Sequence, residues 1–136
     1  MRPGKIRPIV LCIFQHRSRI LVSEGYDHIK QEAFYRPLGG GIEFGESSKQ
    51  AIIREIREEL AQEITALRYL GTLENIFTYN GETGHEIVFV YDGKFTDPSV
   101  YQKTTLNGIE DKDHFTAIWM PVASFKNHVS PLYPTG

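Results

Sequence analysis

The sequence predicts an α/β chain of the α+β type, in which helices pack against a mixed β-sheet. Two observations carry this prediction: short segments rich in β-branched and aromatic residues recur along the chain, and one clear amphipathic helix interrupts them. A chain of 136 residues can bury a core without disulfides or a structural metal. We therefore expect a single domain over residues 1–136.

The overall composition is that of a globular chain with little net charge. Hydrophobic residues make up 40%, charged residues 24%, and the net charge is -2, so no basic excess indicates a nucleic acid or an anionic membrane as partner. The one cysteine, Cys12, lies in an apolar run and predicts a small buried residue in a reducing compartment. That run is too short to span a membrane and lacks a signal cleavage site. The predicted location is therefore cytoplasmic.

The first predicted elements are strands. Residues 7–14 form a nearly continuous apolar run, typical of a strand buried on both faces, and residues 19–24 would be its hairpin partner. Residues 25–32 indicate a polar loop, and residues 34–38 a short strand. Three consecutive glycines at 39–41 then predict a flexible turn that lets a ligand approach the main chain.

A helix is predicted to follow this glycine turn. Ser47 and Gln50 have the spacing of a capping box, so the helix begins at residue 47 or 48 and runs to about residue 60. Ile52, Ile56 and Leu60 recur at i, i+4 and i+8 and form a stripe that faces the core.

The remaining chain predicts three further strands. Residues 64–78 alternate between apolar and polar positions, with Gly71 as a bulge, and an Asn-Gly turn at 80–81 leads to a returning strand at 86–91. Residues 115–120 are the last predicted strand.

Two other segments complete the prediction. Residues 92–113 show little periodicity and predict a long loop of the kind that serves as a lid or binding loop. Residues 122–126 predict a short helix.

Three acids on the predicted helix carry the functional signal. Glu55, Glu58 and Glu59 stand at i, i+3 and i+4, with Glu59 closest to the apolar stripe. Like charges repel and the dipole disfavours anions in the last turns, so a cation should compensate. One interpretation is a solvated acidic face balanced by Arg54 and Arg57, with Arg54 and Glu58 paired at i, i+4. The other is a divalent cation, and Mg²⁺ suits one or two carboxylates that share it with water and phosphate.

The segment 40–62 resembles the Nudix box, G-x5-E-x7-R-E-U-x-E-E-x-G-U, where U is a bulky aliphatic residue. Both long spacings are intact, and seven of nine specified positions match: Gly40, Glu46, Arg54, Glu55, Ile56, Glu58 and Glu59. Ala61 replaces the glycine and Gln62 the last aliphatic residue. Because alanine adopts the left-handed conformation of a helix-ending glycine reluctantly, the end of the helix and the following turn are left open.

The resemblance implies an α/β/α sandwich of Nudix type and a hydrolase that depends on Mg²⁺ or Mn²⁺. Such an enzyme cleaves a pyrophosphate bond in a nucleoside diphosphate linked to another moiety: a nucleoside triphosphate, ADP-ribose or a dinucleoside polyphosphate. The box does not choose between these substrates. The implied metal ligands are Glu55, Glu58, Glu59 and the main-chain carbonyl of Gly39 or Gly40. Which glutamate is the general base stays open.

Further roles follow from the same resemblance. Arg54 is implied to be catalytic, by holding a box glutamate or by contacting substrate phosphate, and Gly40 and Glu46 are structural in the motif. An additional acid from the segment before the last strand is also implied. Glu110 is the first choice there, ahead of its neighbours at 111 and 113, and a solvated turn is the alternative. Arg36 either binds substrate phosphate or forms a surface ion pair.

Other residues have weaker signals. His85 is interpreted as a structural or surface group rather than a base. Four aromatic residues could stack on a base or belong to the core: Phe77, Tyr79, Tyr101 and Trp119.

Two other functions compete with hydrolysis of a small nucleotide. The alternative is a non-catalytic Nudix-like module that binds and senses a nucleotide. An RNA-directed decapping enzyme would require a basic surface or extra domain, so a nucleic acid is not the expected partner. The residues leave the oligomeric state open, while the resemblance includes homodimers. It also implies a longer closing helix, and the proline-containing segment 130–136 predicts that this helix is missing or truncated.

Overall fold

The computed structural model describes residues 4–110 and 112–126, and these residues form seven strands, two α-helices and one 3₁₀ helix. In chain order the elements are β1 (Ile6–His16), β2 (Arg19–Asp27), β3 (Glu32–Gly41), α1 (Ser48–Leu60), β4 (Ile64–Tyr79), β5 (Glu82–Phe95), the 3₁₀ helix (Pro98–Gln102), β6 (Thr105–Glu110), β7 (Asp113–Pro121) and α2 (Ala123–Lys126). The predicted mixed sheet with helices is confirmed. No helix within these residues is long and apolar enough to cross a membrane.

The seven strands lie in the order β4-β5-β1-β3-β2-β7-β6. Strands β1 and β5 run parallel, and the other neighbouring strands are antiparallel. Strand β3 changes partner along its length: residues 38–41 pair with β1, whereas residues 32–37 pair with β2. This change of partner matters for function, because the tips of the β2–β3 and β4–β5 hairpins then face each other across a cavity.

Helix α1 covers one face of the sheet. Its Ala51, Ile52 and Ile56 are fully buried and belong to one cluster with Val10 and Cys12 of β1. The opposite face of β1 supplies a second, smaller cluster of Ile9, Leu11 and Val88. The apolar run of β1 is therefore buried on both faces, as predicted.

The predicted glycine turn is wrong, because residues 39–41 are the last residues of strand β3. The glycines serve close approach between chains instead. A Cβ atom on Gly39 would collide with the carbonyl of Val10, and one on Gly40 would collide with the carboxylate of Glu55. Glycine is therefore required at these two positions, because neighbouring groups already fill the space that a side chain would need.

Two predicted loops are also corrected. Residues 25–27 belong to β2, so only residues 28–31 form the turn to β3. The predicted lid at 92–113 instead contains the end of β5, the 3₁₀ helix and edge strand β6. Strand β6 buries Leu106 and Gly108 only, and two buried positions are too few to give a readable period of two.

The predicted β1–β2 hairpin is only partly correct. These strands pair at just two positions beside the turn, because the neighbours of β1 along its length are β3 and β5. The other turn predictions are confirmed: a register irregularity precedes Gly71, and Asn80-Gly81 joins β4 to β5. Short helix α2 and strand β7 lie where they were predicted. The predicted absence of a longer closing helix concerns residues outside the described ranges.

The helix prediction is confirmed at both ends. Ser47 is the N-cap, and it exchanges hydrogen bonds with Gln50 in the predicted capping box. At the other end Ala61 adopts a left-handed conformation with φ 54° and donates its N–H to the carbonyl of Arg57 at 3.0 Å. Helix α1 thus ends where a glycine would end it, and Ala61 bears the backbone strain.

Candidate active site

The three box glutamates differ sharply in their surroundings. Glu59 is buried between α1 and the sheet, Glu55 is mostly covered, and Glu58 extends into solvent. The carboxylate of Glu55 lies directly against Gly40, at the place where any side chain on that residue would stand. The glycine of the motif therefore admits an acidic side chain of α1 to the end of β3.

Arg54 links most of the charges of this region. Its guanidinium makes a bidentate ion pair with Glu46 at 2.7 and 2.9 Å. The same group donates to Glu55 at 3.0 Å, to Glu58 at 3.2 Å and to the carbonyl of Gly41 at 2.9 Å. Arg54 thereby ties the loop before α1, the helix and the end of β3 together.

Glu59 remains electrostatically uncompensated. Burial raises its pKa to about 9, and its hydrogen bond with Glu55 and the charges of Glu55, Glu110 and Glu58 act in the same direction. In contrast, the hydrogen bond from Arg54 lowers the pKa of Glu46. The Oε1 atom of Glu59 is buried and has no hydrogen-bond partner among residues 4–110 and 112–126. An ionised Glu59 thus requires a cation that the surrounding side chains do not provide.

These residues fit a hard divalent cation. Carboxylate and main-chain carbonyl oxygens are the donors that Mg²⁺ and Mn²⁺ prefer, and the unpartnered Oε1 of Glu59 offers one of them. Within the described part of the chain, no three His, Cys, Asp or Glu side chains converge closely enough to hold an ion in the present arrangement. Glu58 contacts Arg54 instead, so ion binding would require its side chain to change partner.

Two cavities lie beside the acidic side chains. The smaller has a volume of about 80 Å³ and is bordered by Gly39, Gly40, Glu59 and Glu110. The larger has a volume of about 200 Å³ and lies between the tips of the β2–β3 and β4–β5 hairpins. Three aromatic side chains from β3 and β4 line the larger cavity: Phe34, Phe77 and Tyr79.

The structure separates the weaker sequence candidates into two groups. Glu110, Phe77 and Tyr79 line the cavities, and Arg36 lines both of them. Tyr101 and Trp119 instead pack against each other and against His16 at the far end of β1, away from the cavities.

The three remaining polar candidates differ in their positions. His85 lines the larger cavity, and its ring contacts Glu74 at 3.0 Å. Asp113 is an exposed residue at the start of β7, and residue 111 is outside the described ranges.

Sequence reasoning does not identify Arg7 and Glu86 as site residues. Arg7 lines both cavities, and buried Glu86 pairs with Arg36 at 2.5 Å. Arg36, which pairs with Glu86 and lines the same two cavities as Arg7, lies on another strand, about 30 positions after Arg7 and 50 positions before Glu86. The one local signal was a charged residue at the head of an apolar strand, which is common at strand ends.

Comparisons with known proteins agree with the box. The family model described as NUDIX domain matches residues 5–135. One curated relative is the NAD-capped RNA hydrolase NudC of Pseudomonas aeruginosa, 27% identical over 133 residues, which cover 95% of this chain and 44% of that protein. Another is the CTP pyrophosphohydrolase of Escherichia coli, 32% identical over 68 residues, or 50% of either chain. This chain spans half or less of the length of the curated relatives it matches.

Solved structures show the same fold. A MutT NUDIX hydrolase from Burkholderia pseudomallei has a TM-score of 0.64 and 22% identity, with 87% of this chain and 84% of that chain covered. A NUDIX hydrolase from Nitrosomonas europaea has a TM-score of 0.64 and 20% identity, with 96% and 82% covered. The α/β/α sandwich implied by the box is thereby confirmed.

Proposed function

The chain belongs to the Nudix family of hydrolases, and on that premise we propose that it is a metal-dependent pyrophosphohydrolase. Its substrate is a nucleoside diphosphate linked to another moiety, and water cleaves the bond between the two phosphates. The observation that carries the proposal is the buried, uncompensated carboxylate of Glu59, set beside Glu55 and Glu58 at the edge of a cavity. A side chain with that electrostatic cost is retained where a cation or substrate uses it.

The residues divide the work as follows. Glu58, Glu59 and Glu55, with the carbonyl of Gly39 or Gly40, would hold Mg²⁺ or Mn²⁺. When bound, the cation supplies charge neutralisation to the phosphates and the leaving group. Glu55 also stands where it can orient a water and accept its proton, because Arg54 and the gap at Gly40 fix its carboxylate.

The neighbouring cavities suggest how the substrate lies. Its reacting phosphates occupy the smaller cavity near Glu59, with Glu110 as an additional acid beside them. The nucleoside extends into the larger cavity, where Phe34, Phe77 and Tyr79 offer aromatic surface to a base. Arg36 lines both cavities and is placed to contact the phosphates.

The substrate class remains as broad as the geometry allows. Nucleoside triphosphates, ADP-ribose and dinucleoside polyphosphates all contain the required linkage. The names of two relatives, NAD-capped RNA hydrolase and CTP pyrophosphohydrolase, add NAD and CTP to the compounds worth testing. A small nucleotide is favoured over RNA because the chain has a net charge of -2.

Location and assembly complete the proposal. The single cysteine, Cys12, is buried, and burial raises the pKa of its thiol, which suits a reducing cytoplasm. A homodimer is retained as the assembly to test by light scattering.

The test is a panel of nucleotides incubated with Mg²⁺, with Mn²⁺ or with a chelator. CTP, ATP, ADP-ribose, NAD and diadenosine tetraphosphate serve as substrates, and chromatography identifies the products. We expect one class to be cleaved with either ion and none with chelator. Cleavage that persists at full rate in chelator would contradict the metal-dependent assignment.

A nucleotide sensor is the second candidate. The specific observation in its favour is that Glu58 is held by Arg54 and that no three acids converge among the described residues. This function predicts that a nucleotide of the panel raises the melting temperature while no compound is cleaved.

A further inference from the structure

Arg7 and Arg36 are the two residues that line both cavities within the described chain, and we call this pair the arginine junction. Arg7 lies near the start of β1, and Arg36 lies on β3 just before that strand changes partner. A ligand that occupied both cavities would therefore lie beside both arginine residues.

The guanidinium groups of the two arginines differ in their partners. Arg36 donates to the buried carboxylate of Glu86, which fixes its position in the floor of the larger cavity. Arg7 is half-buried, and its side chain has neither a hydrogen-bond nor an ion-pair partner within residues 4–110 and 112–126. A half-buried guanidinium usually has an anionic partner, because its five donors lose water on burial.

The acids of the larger cavity do not fill that role. Asp27 accepts hydrogen bonds from the main-chain N–H groups of Ile29, Lys30 and Asn80, and Glu86 is paired with Arg36. The third acid, Glu32, also lines the cavity but forms no ion pair with Arg7. Room beside Arg7 is kept open by Gly41, because a Cβ there would lie only 3.2 Å from its Nη2 atom. The unpaired side chain of Arg7 therefore belongs to a residue that borders both cavities.

We propose that the arginine junction clamps a diphosphate, with Arg7 as its principal ligand and Arg36 as the opposite side. A planar guanidinium binds phosphate oxygens through two parallel N–H donors, and two such groups suit two linked phosphates better than one. This assignment rests on the proposed function for the direction in which the substrate lies. It adds that recognition depends on the diphosphate itself and operates without the metal.

The test measures binding in chelator, where no turnover occurs. Isothermal titration with pyrophosphate, orthophosphate, ADP and AMP should show that wild type binds pyrophosphate and ADP more tightly than orthophosphate and AMP. Arg7→Gln should weaken the binding of ADP and pyrophosphate roughly 10-fold or more, and should largely remove the preference for two phosphates. Arg7→Lys should lie between the two, because lysine keeps the charge and loses the fork.

Arg68→Gln is the matched control, since Arg68 forms an exposed ion pair with Asp92 on the strand pair β4–β5. It should bind every compound as wild type does. Equal binding of ADP by Arg7→Gln and wild type would overturn the clamp, and so would a wild type that binds none of the four compounds. If Arg7-dependent binding is found and no nucleotide is ever cleaved, the hydrolase proposal fails while the clamp stands.

Discussion

The acidic end of α1 and the arginine junction are adjacent, yet their charges are balanced in opposite ways. Arg54 donates hydrogen bonds to three carboxylates and a main-chain carbonyl, whereas the side chain of Arg7 forms no ion pair within the described residues. Glu59 is likewise without a cation, although Glu46 nearby is fully paired. Charged side chains with an ion-pair partner stabilise the fold, whereas those without one are available to bind a ligand.

The difference teaches where catalysis and recognition come from in this chain. The acids stand within five positions of one helix, so a local spacing places all of them. The junction combines β1 with β3, and its larger cavity adds residues from β4 and β5. The proposed catalytic acids are therefore placed by local sequence spacing, whereas the proposed substrate-binding residues are brought together by the tertiary structure.

Of the predicted effects, the largest is the loss of activity when Glu59 is replaced. Glu59→Gln is expected to lower the rate of metal-dependent cleavage at least ~100-fold, because a metal ligand contributes several kcal/mol to the transition state. The same variant should be as stable as wild type or slightly more so in chelator near pH 7, because burial raises the pKa of Glu59 to about 9 and wild type must therefore take up a proton on folding, whereas glutamine need not. Glu63→Gln, which changes an exposed acid just beyond α1, is the control and should retain activity. Full activity in both Glu58→Gln and Glu59→Gln would refute this metal site.

Replacing the two arginines should separate a structural charge from a binding charge. Arg54→Ala should lower the free energy of unfolding by about 2 kcal/mol, because it leaves Glu46 and Glu55 partly buried without a cation. Arg7→Gln should change it by less than about 0.5 kcal/mol, since its side chain has no hydrogen bond or ion pair to lose. Urea denaturation with both variants measures this difference. Equal losses of stability would mean that Arg7 is also a structural residue.

A third prediction concerns Asp27, whose carboxylate accepts hydrogen bonds at the tips of the two hairpins beside the larger cavity. Hydrogen bonds from the main-chain N–H of Lys30, Asn80 and Ile29 lower the pKa of Asp27. Its stabilisation is therefore present above its pKa in the unfolded chain, about 4, and is lost as pH falls through the lower folded value.

The variant Asp27→Asn should accordingly melt at a lower temperature than wild type at pH 6, and this gap should narrow as the pH falls below about 4. Melting curves across that pH range provide the measurement. A gap that is constant with pH would show that the carboxylate charge is unimportant at the tips.

The smallest expected effect concerns the end of α1. Ala61→Gly should raise the free energy of unfolding by about 0.5 to 1 kcal/mol, because glycine adopts the left-handed conformation without strain. Ala51→Gly, inside the same helix, should lower it. Both values come from chemical denaturation, and a destabilised Ala61→Gly would indicate that Ala61 is not strained.

The degree to which each element could be predicted follows from how local its signals are. The capping box of Ser47, the stripe on α1 and the Asn-Gly turn are each set by a few adjacent residues, and all were predicted. The end of strand β3 was predicted as a turn because the reason for Gly39 is distant in sequence. A main-chain carbonyl on β1 occupies the space that a side chain at this position would need. Strand β6 was missed because its pairing with β7, not its own pattern, makes it a strand.

The candidate site shows the same limit. The spacing of the box predicted that Glu59 lies nearest the core, and the structure confirms it by burying that side chain. The ion pair of Arg36 with Glu86 joins residues 50 positions apart, and no sequence motif in either strand predicts it. Such pairs depend on the sheet order, which periodicity alone does not supply.

The central claim is best tested by mass spectrometry of the products formed in ¹⁸O-labelled water. With the nucleotide that the panel selects, wild type and Mg²⁺ should yield two phosphate-bearing products, one of them with a single ¹⁸O atom on phosphorus. Glu59→Gln should yield neither product above background. Label on a carbon atom, or equal product from Glu59→Gln, would contradict hydrolysis of a pyrophosphate bond at the acidic end of α1.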